Sequence, residues 1–255
     1  MENKSTVFTG IIPARFNSSR FPGKPLATIL GKPMFWHVYT RAVQCKALSA
    51  VYLATDHEEI FSCAQKHGIP VVMTSKDHKS GSDRVLEAAR ILKLPDNSVA
   101  INIQGDEPAL NPEMLDQLIV PFISDPEVKI CTLARPTTAD QVRSKNTVKV
   151  VFSKSNKALY FSRNIIPYTK DDNHPCYVHV GLYAFRVKYL KIFSELRQSR
   201  LEKMEQLEQL RILESDIPIH VVETRCISHG VDIPEDINNV TKIMQEKNNE
   251  SNISP

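Results

Sequence analysis

Three cations gathered beyond one apolar run are the first residues in this sequence that can do chemistry. The segment GIIPARFNSSRFPGKPL, residues 10–26, carries Arg15, Arg20 and Lys24, with Gly23 directly before the lysine. Ligands of open α/β sheets bind outside the carboxyl ends of strands, and Arg and Lys placed there can neutralise a triphosphate. Ser18, Ser19 and the surrounding backbone N–H groups can add an anion-binding nest. The alternative is a solvated basic loop. A G-x-x-x-x-G-K-[ST] loop would need Gly at position 18 and Ser or Thr at 25, where Ser18 and Pro25 stand, and no G-x-G-x-x-G occurs. Neither the ATPase loop nor the dinucleotide fingerprint is therefore present, and this is a different phosphate device.

Acids form the second group. VAINIQGDEP (99–108) is an apolar strand ending in Gln104, Gly105, Asp106 and Glu107. A carboxylate there can hold magnesium, which prefers one or two acids plus phosphate oxygens and water; the competing role for Asp106 is a helix cap. HGVDIPEDI (229–237) places Asp232 in a turn before a proline-started helix, as a second metal ligand or as that helix's N-cap. In DHKSGSDRV (77–85), Ser80, Gly81 and Ser82 precede a helix and can grip a base or a phosphate, or only cap. YVHVGLYAF (177–185) alternates, putting Tyr177, His179, Gly181 and Tyr183 on one face. His179 and Tyr183 can thus line a pocket, although a lone strand histidine is more often structural. His174, Cys176 and His179 lack a fourth ligand at zinc spacing, so zinc is rejected. Leu201, Met204, Leu207, Leu210 and Leu213 recur every three residues as a packing face, which leaves Glu208 and Gln209 ambiguous. Hydrolase and metalloprotease motifs (G-x-S-x-G, H-E-x-x-H) are absent.

The elements that must position these residues follow from apolar runs alternating with helical periodicity, the pattern of β-α-β units. Strands are expected at Val7–Pro13, Ala50–Thr55, Pro70–Thr74, Ser98–Ile103 and Val128–Leu133. Helices are expected at Pro33–Lys46, Glu58–His67, Ser82–Leu92 and Pro112–Ile123. After Arg135 the order turns antiparallel, with strands over 148–152 and 177–185 and a short ALYFSR segment between them. Helices Val187–Arg197 and Leu201–Ser215, a strand Ile219–Glu223 and a helix Pro234–Gln245 complete the chain, and residues 246–255 read as a disordered tail. The expectation is a single domain over 1–245, with a nucleotide-binding half (7–134) and a second half (135–245).

Composition excludes several classes. The 255 residues are 42% hydrophobic and 24% charged, which is ordinary for a globular protein and argues against wholesale disorder. Lys plus Arg exceed Asp plus Glu by 32 − 29 = 3, so no general nucleic-acid affinity is expected. Five scattered cysteines without a C-x-x-C pair read as reduced thiols of a cytoplasmic protein, and no run approaches a membrane span.

Taken in order and at their spacing, IIPARFNSSRFPGKPL, GKPMFWHV, ATDHEEI, DHKSGSDR, INIQGDEP, VKVVF, ALYFSR, IPY, HVGLYAF, LEQLR and GVDIPED closely resemble the 3-deoxy-manno-octulosonate cytidylyltransferase family, from Val7 to Met244. The resemblance implies an α/β nucleotide-diphospho-sugar transferase fold, a central mixed, mostly parallel sheet flanked by helices, and a smaller lobe making a homodimer. It implies transfer of CMP from CTP to the eight-carbon acidic sugar Kdo, with release of pyrophosphate, for lipopolysaccharide. It also implies that Arg15, Lys24, Asp106 and Asp232 are the catalytic set, with Mg2+ on Asp106 and Asp232. Ala14, Arg15, Arg20, Lys24, Ser80, Gly81 and Gln104 would bind the nucleotide, and Arg163, His179, Tyr183, Glu208 and Gln209 the sugar acid.

The chain departs from the family pattern at SGSDR and SHGVD, which removes no proposed ligand. Competing readings are the same chemistry on 8-amino-Kdo or on sialic acid, and a non-catalytic nucleotide-binding module. The last has no need of both acids, and acceptor choice turns on hydrogen bonds that a sequence does not display.

Overall fold

A computed structural model describes residues 6–17, 20–78, 80–137, 142–168 and 176–251. Ser18, Ser19 and His174 lie outside the described residues. The chain divides into two compact units, and the division is interleaved in sequence. One unit comprises 7–94, 102–115 and 227–255; the other comprises 1–6, 95–101 and 116–226. The boundary near residue 134 expected from the change of pattern is therefore not where the chain divides, because the C-terminal segment joins the N-terminal residues.

The first unit is built on parallel strands. β1 (Phe8–Ala14) pairs with β4 (Ala50–Thr55), and β4 pairs with β5 (Val71–Met73). A two-residue hairpin, β2 (Thr28–Ile29) and β3 (Lys32–Pro33), lies between β1 and β4 in sequence. In β1, Ile11, Ile12 and Ala14 are buried, as expected of a strand covered on both faces. Ile103, just past β6 (Val99–Asn102), donates its N–H to the Ile11 carbonyl at 2.9 Å. Helices α1 (Met34–Ala42), α2 (Glu58–Lys66) and α3 (Gly81–Ile91) connect these strands. Pro33, expected as the first helical residue, stands instead at the N-cap of α1, where its fixed φ and missing N–H are equally harmless, and the helix ends at Ala42, short of the expected Lys46. The last helix, α8 (Asp236–Ser251), starts two residues later than expected and continues through the first six residues of the expected tail. Met34, Val231, Val240 and Met244 share one cluster with Ile29 and Ala109, which anchors the C-terminal segment to this unit.

In the second unit the strands are mixed. β7 (Ile130–Thr137) pairs parallel with β11 (Ile219–Glu223) and antiparallel with β10 (Cys176–Arg186). β8 (Lys149–Phe152) runs antiparallel to both β10 and β9 (Ala158–Ser162), so ALYFSR is a strand. The β10 to β7 register shifts between Val180 and Tyr183. Helix α4 (Glu113–Ser124) precedes β7 in sequence, and α5 (Val187–Glu195) follows β10.

The helix expected over Leu201–Ser215 is two: α6 (Arg200–Glu205) and α7 (Gln209–Glu214), separated at Gln206, which takes a left-handed conformation with φ 56°. Ser199 and Glu202 form a reciprocal capping box at the start of α6. The buried Glu202 carboxylate also receives the Arg211 guanidinium in a two-pronged pair at 2.7 and 2.8 Å, which folds α7 back on α6. Breaking the helix ends the three-residue stripe: Leu207 and Leu210 are buried, whereas Met204 is 68% exposed. Among the described residues, no helix is long and apolar enough to cross a membrane.

Candidate active site

All the residues expected to take a nucleotide or metal fall in the first unit. The buried end of β1 at Ala14 releases the chain into the cationic loop, where Arg15 is exposed. Gly23 closes this loop with its N–H on the Phe16 carbonyl at 2.9 Å and with φ +69°, a left-handed backbone that favours glycine. Lys24 is thereby turned inward, so that Nζ donates to Asp106 Oδ2 at 2.7 Å and to the Val231 carbonyl at 2.9 Å. Arg20 forms a fork to both carboxylate oxygens of Asp232, at 3.0 and 3.2 Å, in an exposed pair. The Val231 N–H donates to the Asp106 carbonyl at 2.8 Å, which ties the two acid-bearing turns together. Two cations and two acids from three distant stretches of chain thus meet.

Neither acid is spent on capping. Asp236 accepts the backbone N–H groups of Asp232 and Ile233 at 2.8 and 3.0 Å, and these bonds hold its carboxyl below the usual range. Asp236 thus reaches back from the first helical residue to the turn that carries Asp232, whose own carboxylate is engaged by Arg20. Asp106 sits in a turn well before α4, and its side chain faces Lys24 instead of a helix terminus. Beside it, burial pushes the Glu107 carboxyl up to about 7, and the Asp106 charge adds to the rise. No three His, Cys, Asp or Glu side chains among the described residues gather as a ready-made metal cage. The available donors are two carboxylates, each beside a cation, which suits magnesium's habit of taking one or two protein acids and completing its shell from other oxygens and water.

At the start of α3, Ser80 Oγ accepts the Asp83 N–H at 3.2 Å and donates to its carboxylate at 2.9 Å. The Ser80 hydroxyl is therefore the cap, and what the turn offers a ligand is the first-turn backbone at Gly81 and Ser82. Gln104, in the turn after β6, is half-buried. Gly105 has no room for a side chain, because a Cβ there would lie 2.5 Å from the Pro13 carbonyl oxygen.

The residues expected around the sugar acid all fall in the second unit. Arg163 donates Nε to the Glu205 carbonyl at 2.9 Å, and its terminal nitrogens reach the Lys145 and Gln206 carbonyls at 3.3 Å. The side chain of Glu205 in turn holds Ser162 Oγ and the Arg163 N–H, at 2.6 and 2.8 Å. The guanidinium is thus fixed at the carbonyl end of α6, and two of its five N–H groups are uncommitted by these bonds. His179 and Tyr183 lie side by side, ring centroids 5.2 Å apart. Thr132 Oγ1 is 2.8 Å from the Leu182 carbonyl and 3.0 Å from His179 Nε2. A hydroxyl has one proton; given to the carbonyl, it leaves Nε2–H as the donor and Nδ1 as an acceptor on a neutral ring. Burial lowers the His179 pKa to about 3, in keeping with that neutral form. The Tyr183 hydroxyl is buried and has no hydrogen-bond partner among the described residues, and burial raises its pKa. Glu208 stands at the N-cap of α7, close enough for its charge to add to that rise, and Gln209 opens the helix, buried.

The buried imidazole makes acid stability testable. The unfolded state, with a histidine pKa near 6.5, binds the proton that the folded state refuses until about pH 3. Stability is therefore lost as pH falls from about 6.5 toward 3, by up to about 1.4 kcal/mol per pH unit from this group alone. Urea unfolding of His179→Gln against the parent is expected to show a shallower decline over that range; equal slopes would refute the assignment.

Lys149 was not singled out by the sequence, where it reads as one residue of an alternating strand. It is 1% exposed, and Nζ donates to the Thr147, Ser144 and Arg163 carbonyls. Burial lowers its pKa, and the Arg163 charge adds to this. The ammonium thereby fixes the backbone on which Arg163 is mounted.

The sequence model of one family, Cytidylyltransferase, matches residues 9–221. The chain is 53% identical over 244 residues to the 3-deoxy-manno-octulosonate cytidylyltransferase of Oleidesulfovibrio alaskensis, covering 95% of this chain and 98% of that one. To the protein of the same name from Lawsonia intracellularis it is 49% identical over 249 residues, with 97% and 98% covered. Among solved structures it is similar to CMP:2-keto-3-deoxy-manno-octonic acid synthetase complexed with CTP, with a TM-score of 0.90 and 38% identity, over 95% of this chain and 100% of that chain. A Leptospira borgpetersenii cytidylyltransferase shares the fold alone, with a TM-score of 0.63 at 15% identity, over 94% of this chain and 87% of that one.

Proposed function

The chain belongs to the cytidylyltransferase family, and from that premise we propose that it transfers CMP from CTP to the anomeric hydroxyl of 3-deoxy-D-manno-octulosonate, releasing pyrophosphate. The observation that carries this reading is the convergence of Lys24 and Arg20 on Asp106 and Asp232, on a chain 53% identical to an enzyme of that name. In the reaction the anomeric oxygen forms a bond to the α-phosphorus, the bond from that phosphorus to the oxygen bridging to the β-phosphate breaks, and the hydroxyl proton is lost. There is little covalent work for a protein in such a step, so positioning and charge neutralisation dominate.

Arg15, Arg20 and Lys24 bind the triphosphate and offset charge on the leaving pyrophosphate, with Ala14 closing the strand beneath them. The turns at Ser80, Gly81 and Gln104 receive the cytidine end. Arg163 turns its uncommitted N–H groups to the sugar carboxylate. His179 accepts a sugar hydroxyl at Nδ1, Tyr183 satisfies its buried hydroxyl on another, and Glu208 and Gln209 take those that remain. Magnesium held by Asp106 and Asp232 would neutralise phosphate charge and make the attacking hydroxyl more acidic. The enzyme so read works as a homodimer in the cytoplasm and supplies activated sugar for lipopolysaccharide.

The test is pyrophosphate release by purified protein with CTP and magnesium, comparing Kdo, 8-amino-Kdo and sialic acid, with a magnesium-free control. Release with Kdo and its loss without magnesium is the expected result. A folded, CTP-binding protein that releases nothing with Kdo would overturn the reading, and release only with another acid would move it to that sugar.

A further inference from the structure

Arg84 is the largest of the fully buried side chains, at 2% exposure, and no role in CMP transfer has been given to it. It lies in α3, one turn beyond Ser80, and its guanidinium faces two segments at once. Nη2 donates to Asp56 Oδ2 at 2.7 Å, while Nη1 donates to Thr74 Oγ1 at 2.5 Å and to the Ser75 carbonyl at 3.2 Å. The other oxygen of Asp56 accepts the Phe16 N–H at 3.3 Å, and the Phe16 carbonyl is the group that closes the loop onto Gly23, directly before Lys24. Phe16 also stacks on His57, centroids 3.9 Å apart, next to Asp56. On the other side, Thr74 is anchored by its hydroxyl to the Thr55 carbonyl at 2.9 Å. Ser75 is held through its N–H to Glu87 of the same helix at 2.7 Å, and Glu87 also binds His78. The segment from Thr74 runs to the Ser80–Gly81 turn.

A buried guanidinium is retained only where its charge and several of its donors are satisfied. Here the satisfied donors link the cationic loop to the turn at α3. We propose that Arg84 is a positioning residue: by bridging Asp56 to Thr74 and Ser75 it sets the spacing between the Phe16–Gly23 closure that carries Lys24 and the turn at Ser80–Gly81, and so couples recognition of the triphosphate end of CTP to recognition of its cytidine end. The inference rests on the reading that these two segments take those two ends.

Arg84→Lys keeps the charge and loses the planar fork, so it reaches one side of the bridge and not both. Calorimetric titration of the folded variant is expected to show the CTP dissociation constant raised by about tenfold, as a small misplacement between two binding elements would give. Those for inorganic tripolyphosphate and cytidine, each spanning one end, move less than twofold. In turnover the KM for CTP rises and the KM for Kdo stays within twofold. Equal changes for all three ligands, or none, would overturn the proposal. In the parent protein, tripolyphosphate alone is expected to slow amide exchange over residues 74–78, a readout that holds even if the variant fails to fold; no protection there would overturn the coupling. Parent protein that binds CTP no tighter than tripolyphosphate would instead overturn the assignment of the two ends, and with it the inference.

Discussion

Asp106→Asn is expected to lower the rate of pyrophosphate release by about a thousandfold at saturating substrates, with the fold retained. The carboxamide is nearly isosteric and keeps an acceptor for Lys24 Nζ, which now donates to Asp106 Oδ2 at 2.7 Å. What disappears is the negative charge at the place where the cations and the second acid meet. The pair is only partly buried, with side chains 15% and 34% exposed, so the stability change should stay near about 1 kcal/mol. A large kinetic effect beside a small thermodynamic one separates a group acting on the reacting phosphate from one that merely holds two turns together. Circular dichroism and thermal melting check the fold, and a variant rate within threefold of the parent would remove Asp106 from the chemistry.

The second large effect is steric. Gly105→Ala is expected to destabilise the protein by about 3 kcal/mol, read from the urea midpoint, and to abolish turnover with it. The new methyl would stand 2.5 Å from the Pro13 carbonyl oxygen, a backbone atom with no rotamer to move into. β1 has little freedom to yield there, since residues Thr9 to Ala14 are in register with β4. Gly81→Ala is the control: its Cβ would meet the Pro13 ring at 3.6 Å, an ordinary contact, so stability should stay within about 0.5 kcal/mol. Similar unfolding midpoints for the two variants would show that the close approach at Gly105 is not needed.

The longer strands were legible because most are apolar runs bounded by turn residues, a signal local to a few positions, whereas the two-residue hairpin β2–β3 carries no such run. The grouping of Lys24 with Asp106 and of Arg20 with Asp232 was legible only through motif order, since the partners are 82 and 212 residues apart. Competing local roles hid some assignments. Asp232 is suited both to capping and to metal binding, and only the geometry shows its carboxylate on Arg20, with Asp236 holding the turn's N–H groups. Buried charges left no trace at all. Lys149 sits in a strand and Arg84 in a helix where a polar residue reads as a solvent face, yet the first is held by carbonyls just before it and at Arg163, and the second by Asp56 and the Thr74–Ser75 segment. The break at Gln206 was invisible for a related reason. The leucine spacing runs through it unbroken, while the pair that folds the helix back joins Glu202 to Arg211, nine residues on.

That fold-back has an energetic side. α6 and α7 have six residues each, far below the roughly 12–15 at which an isolated helix persists in water. Each therefore depends on packing for its stability, the first through the Glu202–Arg211 pair and the second also through its buried Leu210 and Ile212. Arg163 is clamped by carbonyls at the end of the first helix, and Glu208 and Gln209 begin the second. The Glu205 and Gln206 carbonyls that clamp the Arg163 guanidinium, and Glu208 and Gln209 beside them, thus lie on one short stretch of chain whose order depends on packing, while Lys145 and Lys149 hold Arg163 from outside it.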